Sequence, residues 1–344
     1  MRVENTTIFD AAALPLIGPK GENLLTVMVK GTFRFTSGHT EPAEDQAPIA
    51  YGDVYEDEVL GGGVRYESDI VPFKPRADIV LRATAYAPDD KPATSVPVTV
   101  KVGSVEKRLL VFGERYWNHS GVLSRRYTMT EAKPFVRRPI VYRDAFGGIN
   151  TITGEYCAEN LVGTGLYFPH AKQNLAGKPL PCIEDPRCLI RNLEDRPRPV
   201  GFGFYHRAWR PRAGYAGTYD AAWRKRRSPL PPEDFDARFY NGAHPDLQVD
   251  GYLKAGEPVT LLNLTPEGEI GFKLADVTPS CAITRRANGG RSKTETVAMH
   301  LDTLFMEPDE KRYCVVWRAA VPLSDAAAVE IDGVRIDIRQ GERN

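Results

Sequence analysis

The chain has 344 residues, and its 45 Lys and Arg balance 45 Asp and Glu, so no overall field draws it to nucleic acid or to an anionic membrane. Hydrophobic residues make up 42% and charged residues 26%, which is typical of globular proteins and excludes disordered and fibrous ones. No apolar run approaches the roughly 20 residues of a membrane helix, and the N-terminus lacks the features of a secretory signal. We therefore expect a soluble cytoplasmic protein that binds neither nucleic acid nor membrane.

Several short stretches alternate apolar with polar residues, the pattern of strands with one buried face. In residues 96–102 every second residue is valine. The predicted strands, in chain order, cover residues 24–35, 78–86, 96–102, 106–112, 258–264, 269–274, 296–305, 313–319 and 329–339. Within the last of these, Asp332-Gly333 predicts a hairpin turn. Because turns separate the strands, we predict a mainly β protein with antiparallel sandwich-like or barrel-like lobes and long loops rich in proline and glycine.

Helix signals are few and short. Residues 218–225 begin with capping-type side chains and end with basic ones, an order that suits the helix dipole. Residues 232–241 have proline near their start, and residues 324–329 give a weaker signal. We therefore expect a few short helices and no helical bundle.

Residues 144–235 differ in kind from the rest of the chain. They hold ten of the 27 prolines, interleaved with aromatic and arginine residues, and show little alternation. Because a disordered linker is poor in aromatic residues, we predict long ordered loops on a β scaffold, where binding surfaces usually lie. We expect one domain over residues 1–344, within which two β lobes at about 1–143 and 236–344 could flank this segment.

Charge is balanced over the whole chain but not along it. Residues 41–69 hold nine acidic residues and one basic residue, whereas residues 185–227 hold eleven basic and four acidic residues. The two segments could face each other within the fold, or the basic segment could meet an acidic partner. Of these two interpretations we favour the acidic partner.

Common catalytic motifs are missing from the sequence, which has no G-x-S-x-G, no H-E-x-x-H and no glycine-rich phosphate loop. The five cysteines are scattered, so we predict free buried thiols, with neither a metal nor a cofactor. Residues 200–205 resemble the aromatic strand of RNA-recognition modules but lack its basic first residue, so we do not predict RNA binding. The carboxylate pairs Glu184-Asp185 and Glu194-Asp195 have arginine neighbours, which favours ion pairs over a glycosidase site.

Seven short phrases rich in aromatic residues, glycine and arginine follow one another between residues 24 and 319. They are VFGERYW (111–117), PIVYRDAFGG (139–148), PVGFG (199–203), WRPR (209–212), GTYDAAW (217–223), PEDFD (232–236) and LDTL (301–304). Within them, Gly147, Gly148 and Gly217 predict unusual backbone φ or close packing. In order and spacing these phrases resemble the domain-of-unknown-function family numbered 2169 (DUF2169), whose members are encoded beside type VI secretion genes.

The resemblance implies an adaptor or chaperone and no enzymatic activity. Proteins of this kind bind a toxin effector before secretion and help to load it onto the VgrG-type spike protein at the tip of the injection apparatus. The family supplies no catalytic residues, and because the chain ends soon after the shared region we expect the form without added pentapeptide repeats. The alternative is an enzyme that acts on a cell-envelope glycan through carboxylates in the long loops.

A chaperone needs a preformed surface for its client, and Trp, Tyr and Arg dominate the energetics of protein interfaces. As partner-binding residues we therefore predict Trp117, Trp209, Arg210, Arg212 and Trp223. For each of them, packing that only holds the loops together is the competing interpretation.

Overall fold

The computed structural model describes residues 1–55, 63–120, 126–167, 174–287, 292–323 and 329–339. The strands are β1 (Arg2–Asn5), β2 (Asp10–Ile17), β3 (Asn23–Thr36), β4 (His39–Pro42), β5 (Val54–Tyr55), β6 (Val64–Tyr66), β7 (Ala77–Leu81), β8 (Thr84–Tyr86), β9 (Ser95–Val102), β10 (Val105–Phe112), β11 (Trp117–His119), β12 (Tyr127–Met129), β13 (Arg137–Pro139), β14 (Phe146–Gly147), β15 (Thr164–Gly165), β16 (Ile183–Glu184), β17 (Gln248–Val249), β18 (Pro258–Leu262), β19 (Glu269–Lys273), β20 (Thr278–Ala287), β21 (Ser292–Ala298), β22 (His300–Glu307), β23 (Arg312–Pro322) and β24 (Val329–Arg339). The helices are α1 (Ala221–Arg226) and the short 3-10 helices Pro88–Asp90, Tyr142–Asp144, Arg212–Ala216, Ala237–Tyr240, Pro245–Leu247 and Pro308–Glu310.

The largest sheet has the strand order β17-β7-β22-β23-β3-β2, and β4 pairs with the end of β3. Neighbouring strands are antiparallel except for β7 and β22, which run parallel. The central strands β3 and β23 are buried at nearly every residue. Strands covered on both faces read as almost continuous apolar runs, which is why β3 and β23 show less alternation than the strands of the second sheet.

The second sheet has the strand order β16-β10-β9-β18-β19, and every pair of adjacent strands in it is antiparallel. In β9 the valines at 96, 98, 100 and 102 are buried, and the residues between them are more exposed. One face of this sheet therefore lies on the core, and the strand predicted from the valine alternation is confirmed.

The two sheets pack face to face through aromatic side chains. The ring of Phe35 in β3 stacks on Phe272 in β19, with 4.2 Å between centroids. The ring of Tyr313 in β23 lies 5.7 Å from Phe272, and its hydroxyl accepts a hydrogen bond from the backbone N–H of Ala275 at 2.9 Å. Such pairs contribute about 0.5–1.5 kcal/mol each beyond the burial of apolar area. They hold the two sheets together as a sandwich.

A third sheet has the order β1-β24-β20-β21, with β1 and β24 parallel. The hairpin turn predicted at Asp332-Gly333 is wrong, because β24 runs through both residues and pairs with β20. Thr284 opposes Gly333 and Arg285 opposes Ile331, so Asp332 is the extra residue of a β-bulge. A glycine beside an aspartate is found in β-bulges as well as in turns. The Asp-Gly pair alone therefore does not show which of these two structures will form.

The predicted helices are shorter than expected. The first is present as α1, whereas residues 232–241 form only the 3-10 turn Ala237–Tyr240. Of the third, residues 324–328 lie outside the described part of the chain, and Val329 begins β24.

The prediction of a mainly β protein built from antiparallel sheets is confirmed, and no sheet closes into a barrel within the described residues. Strands from residues 1–143 and from residues 236–344 are neighbours in both larger sheets and contribute to one buried core. The division of the domain into lobes stays a prediction. Residues 144–235 contain α1 and only three strands of two residues each in their described part; the remainder is loops and 3-10 turns that lead from one sheet to the next.

Candidate partner-binding surface

The loop that follows β13 is fixed by a close approach of two backbone segments. Gly147 has a φ of 147° and Gly148 one of 107°, which side chains with a Cβ rarely adopt. A Cβ on Gly147 would lie 2.4 Å from the carbonyl oxygen of Asn160. The side-chain amide of Asn160 donates hydrogen bonds to the carbonyl oxygens of Tyr142 and Phe146, at 2.8 and 3.0 Å. The predicted requirement for unusual φ at these glycines is confirmed.

Trp209 lies inside the loop region and has none of its surface exposed. Its ring meets the rings of Tyr142 and Tyr205 edge to face, with 5.2 and 5.4 Å between centroids. The Tyr205 hydroxyl lies within hydrogen-bond distance of the carbonyl oxygens of Glu159 and Arg210, at 2.7 and 2.6 Å. A side chain without accessible surface cannot contact a partner, so Trp209 in this conformation stabilises the loops.

Trp117 is also buried, in a small apolar cluster that follows the C-terminal end of β10. It packs there with Phe146, Leu180 and Ile190. Burying one large apolar side chain of this kind stabilises the fold by about 1.5–3 kcal/mol. Trp117 therefore attaches the loop segment to the scaffold, and its burial leaves almost nothing for a partner to touch.

Of the adjacent carboxylates predicted to form ion pairs, Glu184 and Asp185 do so, whereas Asp195 is held by backbone groups. Glu184 pairs with Arg115, both buried, and burial raises the pKa of Glu184 while the guanidinium opposes that rise. Asp185 pairs with Arg187 at 2.7 Å, and this contact lowers the pKa of Asp185. Asp195 accepts hydrogen bonds from two backbone N–H groups at 2.7 and 2.8 Å. These carboxylates stabilise the loops in which they lie.

Arg212 belongs to a buried ionic cluster that joins the basic segment to the acidic one. Its guanidinium lies 2.7 Å from the Glu67 carboxylate and donates to two backbone carbonyl oxygens at 2.8 and 2.9 Å. Arg207 shares Glu67 at 2.7 Å and reaches Asp53 at 3.1 Å. For these two arginines the segments face each other within the fold, which corrects the preference for an acidic partner at Arg212.

Arg210 is exposed, unlike Trp209 and Arg212 in the same phrase. Its backbone N–H donates to the carbonyl oxygen of Ala158 at 2.8 Å, which joins it to the end of the loop formed by residues 149–158. That loop displays three large apolar side chains, Ile149, Ile152 and Tyr156, each more than half exposed, and Ile149 and Tyr156 are bridge partners. We call this loop, residues 149–158, the apolar tip. Exposed apolar groups beside a cation are typical of interaction surfaces.

A second exposed element is the segment around α1, residues 218–231, which we call the basic turn. It follows Gly217, whose φ of 82° confirms the prediction of unusual backbone there. The half-buried Trp223 donates from its indole nitrogen to the carbonyl oxygen of Leu230 at 2.8 Å. Its ring packs edge to face on Tyr219, 4.6 Å away, which is 56% exposed. The exposed cations of the turn are Arg224, Lys225 and Arg226.

The five predicted partner-binding residues therefore fall into two groups. Trp117, Trp209 and Arg212 are buried and support the loops, whereas Arg210 is exposed and Trp223 is partly so. Large aromatic side chains bury so much area when they pack that composition alone does not distinguish a supporting ring from a displayed one. A binding role for Arg210 and Trp223 stays a prediction.

Sequence reasoning missed a network of buried charges on the largest sheet. Lys74 pairs with Asp78 at 2.7 Å and donates to the hydroxyl of Thr303 at 2.8 Å. Asp302 pairs with Arg318 at 2.6 Å, and both side chains are almost fully buried. The sequence feature that could have revealed this network is the LDTL phrase, which places Asp302 within an apolar strand. In the structure the register between this strand and β23 shifts at Asp302. Buried charges of this kind are retained only when each has a partner.

A cleft of about 610 Å³ lies between the loop at 185–199 and the turn at 244–246. His244 lines the cleft, and its Nδ1 is 2.7 Å from Nζ of the buried Lys107. Burial lowers the pKa of Lys107 to about 8. Burial also lowers the pKa of His244, and the charge of Lys107 lowers it further. The imidazole is therefore neutral at pH 7 and accepts a hydrogen bond from the ammonium group.

In the part of the chain that the structure describes, no helix has the length and apolar character needed to span a bilayer. Comparisons with curated proteins and with solved structures gave no match. The model of a family described as uncharacterized proteins conserved in bacteria, DUF2169, matches residues 20–318. This match includes the apolar tip, the basic turn and all seven sequence phrases. Because it covers most of the 344 residues, the chain belongs to the DUF2169 family.

Proposed function

We propose that this DUF2169 protein is a non-catalytic adaptor that acts in the cytoplasm. It binds a toxin effector of a type VI secretion system and helps to load the effector onto the VgrG-type spike protein. The observation that carries the proposal is the family match over residues 20–318, joined to the secretion role that the resemblance of the seven phrases implies.

The way in which the loops are held supports this proposal. Long loops usually lose conformational freedom when they bind, and that loss weakens the complex. Here Trp117 and Arg212 attach the loop region to the rest of the fold, and Trp209 holds its loops together, before any partner arrives. A surface that is already ordered binds a client without the additional entropic cost of ordering it.

The exposed groups of the loop region also suit a polypeptide client. The apolar tip offers aliphatic and aromatic side chains, and the exposed Arg210 is joined through its backbone to the end of the same loop. Interfaces combine such apolar anchors with arginine, and a few of these residues dominate the binding energy. An unstable apolar segment of a toxin is a client of the matching chemistry.

The test is co-expression with an inactivated toxin encoded beside the gene for this protein. We expect a complex that survives size-exclusion chromatography and a higher soluble yield of the toxin. The double variant Ile149→Asp/Tyr156→Asp should weaken the complex, because it places charge on the apolar tip. The matched control is Ile8→Asp, which alters an equally exposed apolar residue near the N-terminus.

Two results would overturn the proposal. One is a wild-type protein that neither binds the toxin nor raises its yield. The other is turnover of a cell-envelope glycan by the isolated protein, which would favour the alternative enzymatic function. If the apolar-tip variant bound the toxin as tightly as the Ile8→Asp control, the tip would be excluded as the contact surface.

A further inference from the structure

We propose that the basic turn, residues 218–231, is a docking element for an acidic segment of the client polypeptide. This inference rests on the proposed adaptor function and names the chemistry of the partner at one surface. Three features of the turn carry the inference. The turn is held by hydrogen bonds at both ends, three of its cations form no ion pair with a described residue, and it is small.

The basic turn is held in place by hydrogen bonds at both ends. The Asp220 side chain accepts from the backbone N–H of Trp223 at 2.7 Å and so caps α1. Asp234 accepts from the backbone N–H and the hydroxyl of Thr218, at 2.9 and 2.8 Å. Arg227 donates to two carbonyl oxygens at 2.9 and 3.1 Å, one of which lies in the loop between β2 and β3. The fourth cation of the run therefore serves as an anchor, and the other three are displayed.

Four exposed arginines elsewhere in this chain are neutralised by a carboxylate two residues away. The examples are Glu106–Arg108, Asp185–Arg187, Asp236–Arg238 and Arg335–Asp337. Arg224, Lys225 and Arg226 form no ion pair with any residue that the structure describes, although all three are exposed. Cations suit the last turn of a helix, yet three unpaired ones on six helical residues leave a concentrated positive patch.

The size and surroundings of the patch favour an acidic polypeptide over other anions. Proteins that bind duplex DNA contact several phosphates over an extended basic face, whereas this chain has no net charge and the patch spans one helical turn. Membrane-surface helices need a broad apolar face. The apolar residues of α1 are the exposed Ala221 and Ala222, which are small, and the partly buried Trp223. Beside the cations, the exposed ring of Tyr219 offers the mixed polar and apolar contact that peptide side chains use.

The experiment compares two charge-matched variants of the full chain in binding to the inactivated toxin. The test variant is Arg224→Glu/Lys225→Glu/Arg226→Glu. The control is Lys101→Glu/Lys254→Glu/Lys273→Glu, which reverses three exposed lysines away from the loop region. The neutral variant Arg224→Gln/Lys225→Gln/Arg226→Gln replaces the test variant if the reversal impairs folding, as judged by thermal unfolding.

We expect the test variant to bind about tenfold more weakly than wild type at low salt, because three attractions become repulsions. The dependence of its affinity on salt should be flatter, and the control should stay within about twofold of wild type. Failure of wild type to bind the toxin refutes the adaptor function itself. If wild type binds but the test variant and the control have equal affinity and salt dependence, only the docking role is refuted.

A second arm separates the classes of partner. Wild type, test variant and control are mixed with a fluorescent poly-glutamate peptide, a short DNA duplex and phosphatidylserine vesicles. We expect binding of the peptide that the test variant loses and the control retains. Binding of DNA or vesicles in preference to the peptide, and its loss in the test variant, would overturn the assignment to an acidic polypeptide.

Discussion

The buried cluster of Arg212 provides the sharpest test of the structure, because the sequence alone suggested a surface role. We consider Arg212→Met, which removes the charge and all of its donors while retaining most of the side-chain length. In the structure this guanidinium contacts Glu67 and two backbone carbonyl oxygens, and both charged side chains are less than a tenth exposed. The substitution therefore removes one partner of a buried ion pair.

Loss of one partner from such a pair costs about 3–5 kcal/mol. Glu67 keeps its contact with Arg207 after the change, so we expect the lower end, about 3 kcal/mol. An unfolding entropy of about 2.1 cal/mol/K per residue amounts to about 0.7 kcal/mol/K for 344 residues. The melting temperature should therefore fall by about 4 °C.

The assay is thermal unfolding followed by circular dichroism, together with urea unfolding at constant temperature. Arg210→Met is the matched control, because this arginine is two residues away and exposed. Substitutions at such surface positions change stability by about 0.5 kcal/mol or less. Equal stability of the two variants, combined with lost client binding only in Arg212→Met, would show that Arg212 contacts the partner and that the burial argument fails.

Two further predictions concern the loop region and the cleft. Gly147→Ala should destabilise the protein by about 3 kcal/mol in urea unfolding, because it combines an unfavourable φ with a contact between the new Cβ and the Asn160 carbonyl oxygen; an unchanged midpoint would contradict this. His244 has a pKa lowered from 6.5 to about 3, so the unfolded chain binds the additional proton in that window and stability should fall as pH is lowered through it. His244→Asn, which keeps an acceptor for Lys107 but does not titrate, should show a flatter slope of unfolding free energy between about pH 6.5 and pH 4. Identical slopes would assign the acid sensitivity to other groups.

Several features could be predicted from local sequence because their physical causes are local. The valine alternation of β9 and the spacing of turns indicated an antiparallel β protein, and the capping-type and basic residues of 218–225 indicated the short helix α1. The positive φ at Gly147 and Gly217 was likewise signalled by residue type. The seven ordered phrases indicated the family, because the order of short motifs can be compared along the sequence without knowing how those motifs meet in space.

Other features depended on contacts between residues far apart in the chain. Asp332-Gly333 lies in a continuous strand because β20 pairs with the residues that precede and follow this bulge. The pairing of Arg212 with Glu67 joins positions 145 residues apart, and no local pattern indicates that match.

The sequence by itself determined the class of fold, the family and the uneven distribution of charge. Only the tertiary structure decided which rings and cations are displayed and which are enclosed. The physical reason is that local pattern depends on backbone geometry and residue type, whereas exposure depends on what the rest of the chain places over each side chain. Trp209 and Trp223 illustrate the difference, since similar surroundings in sequence end in complete burial for one and partial exposure for the other.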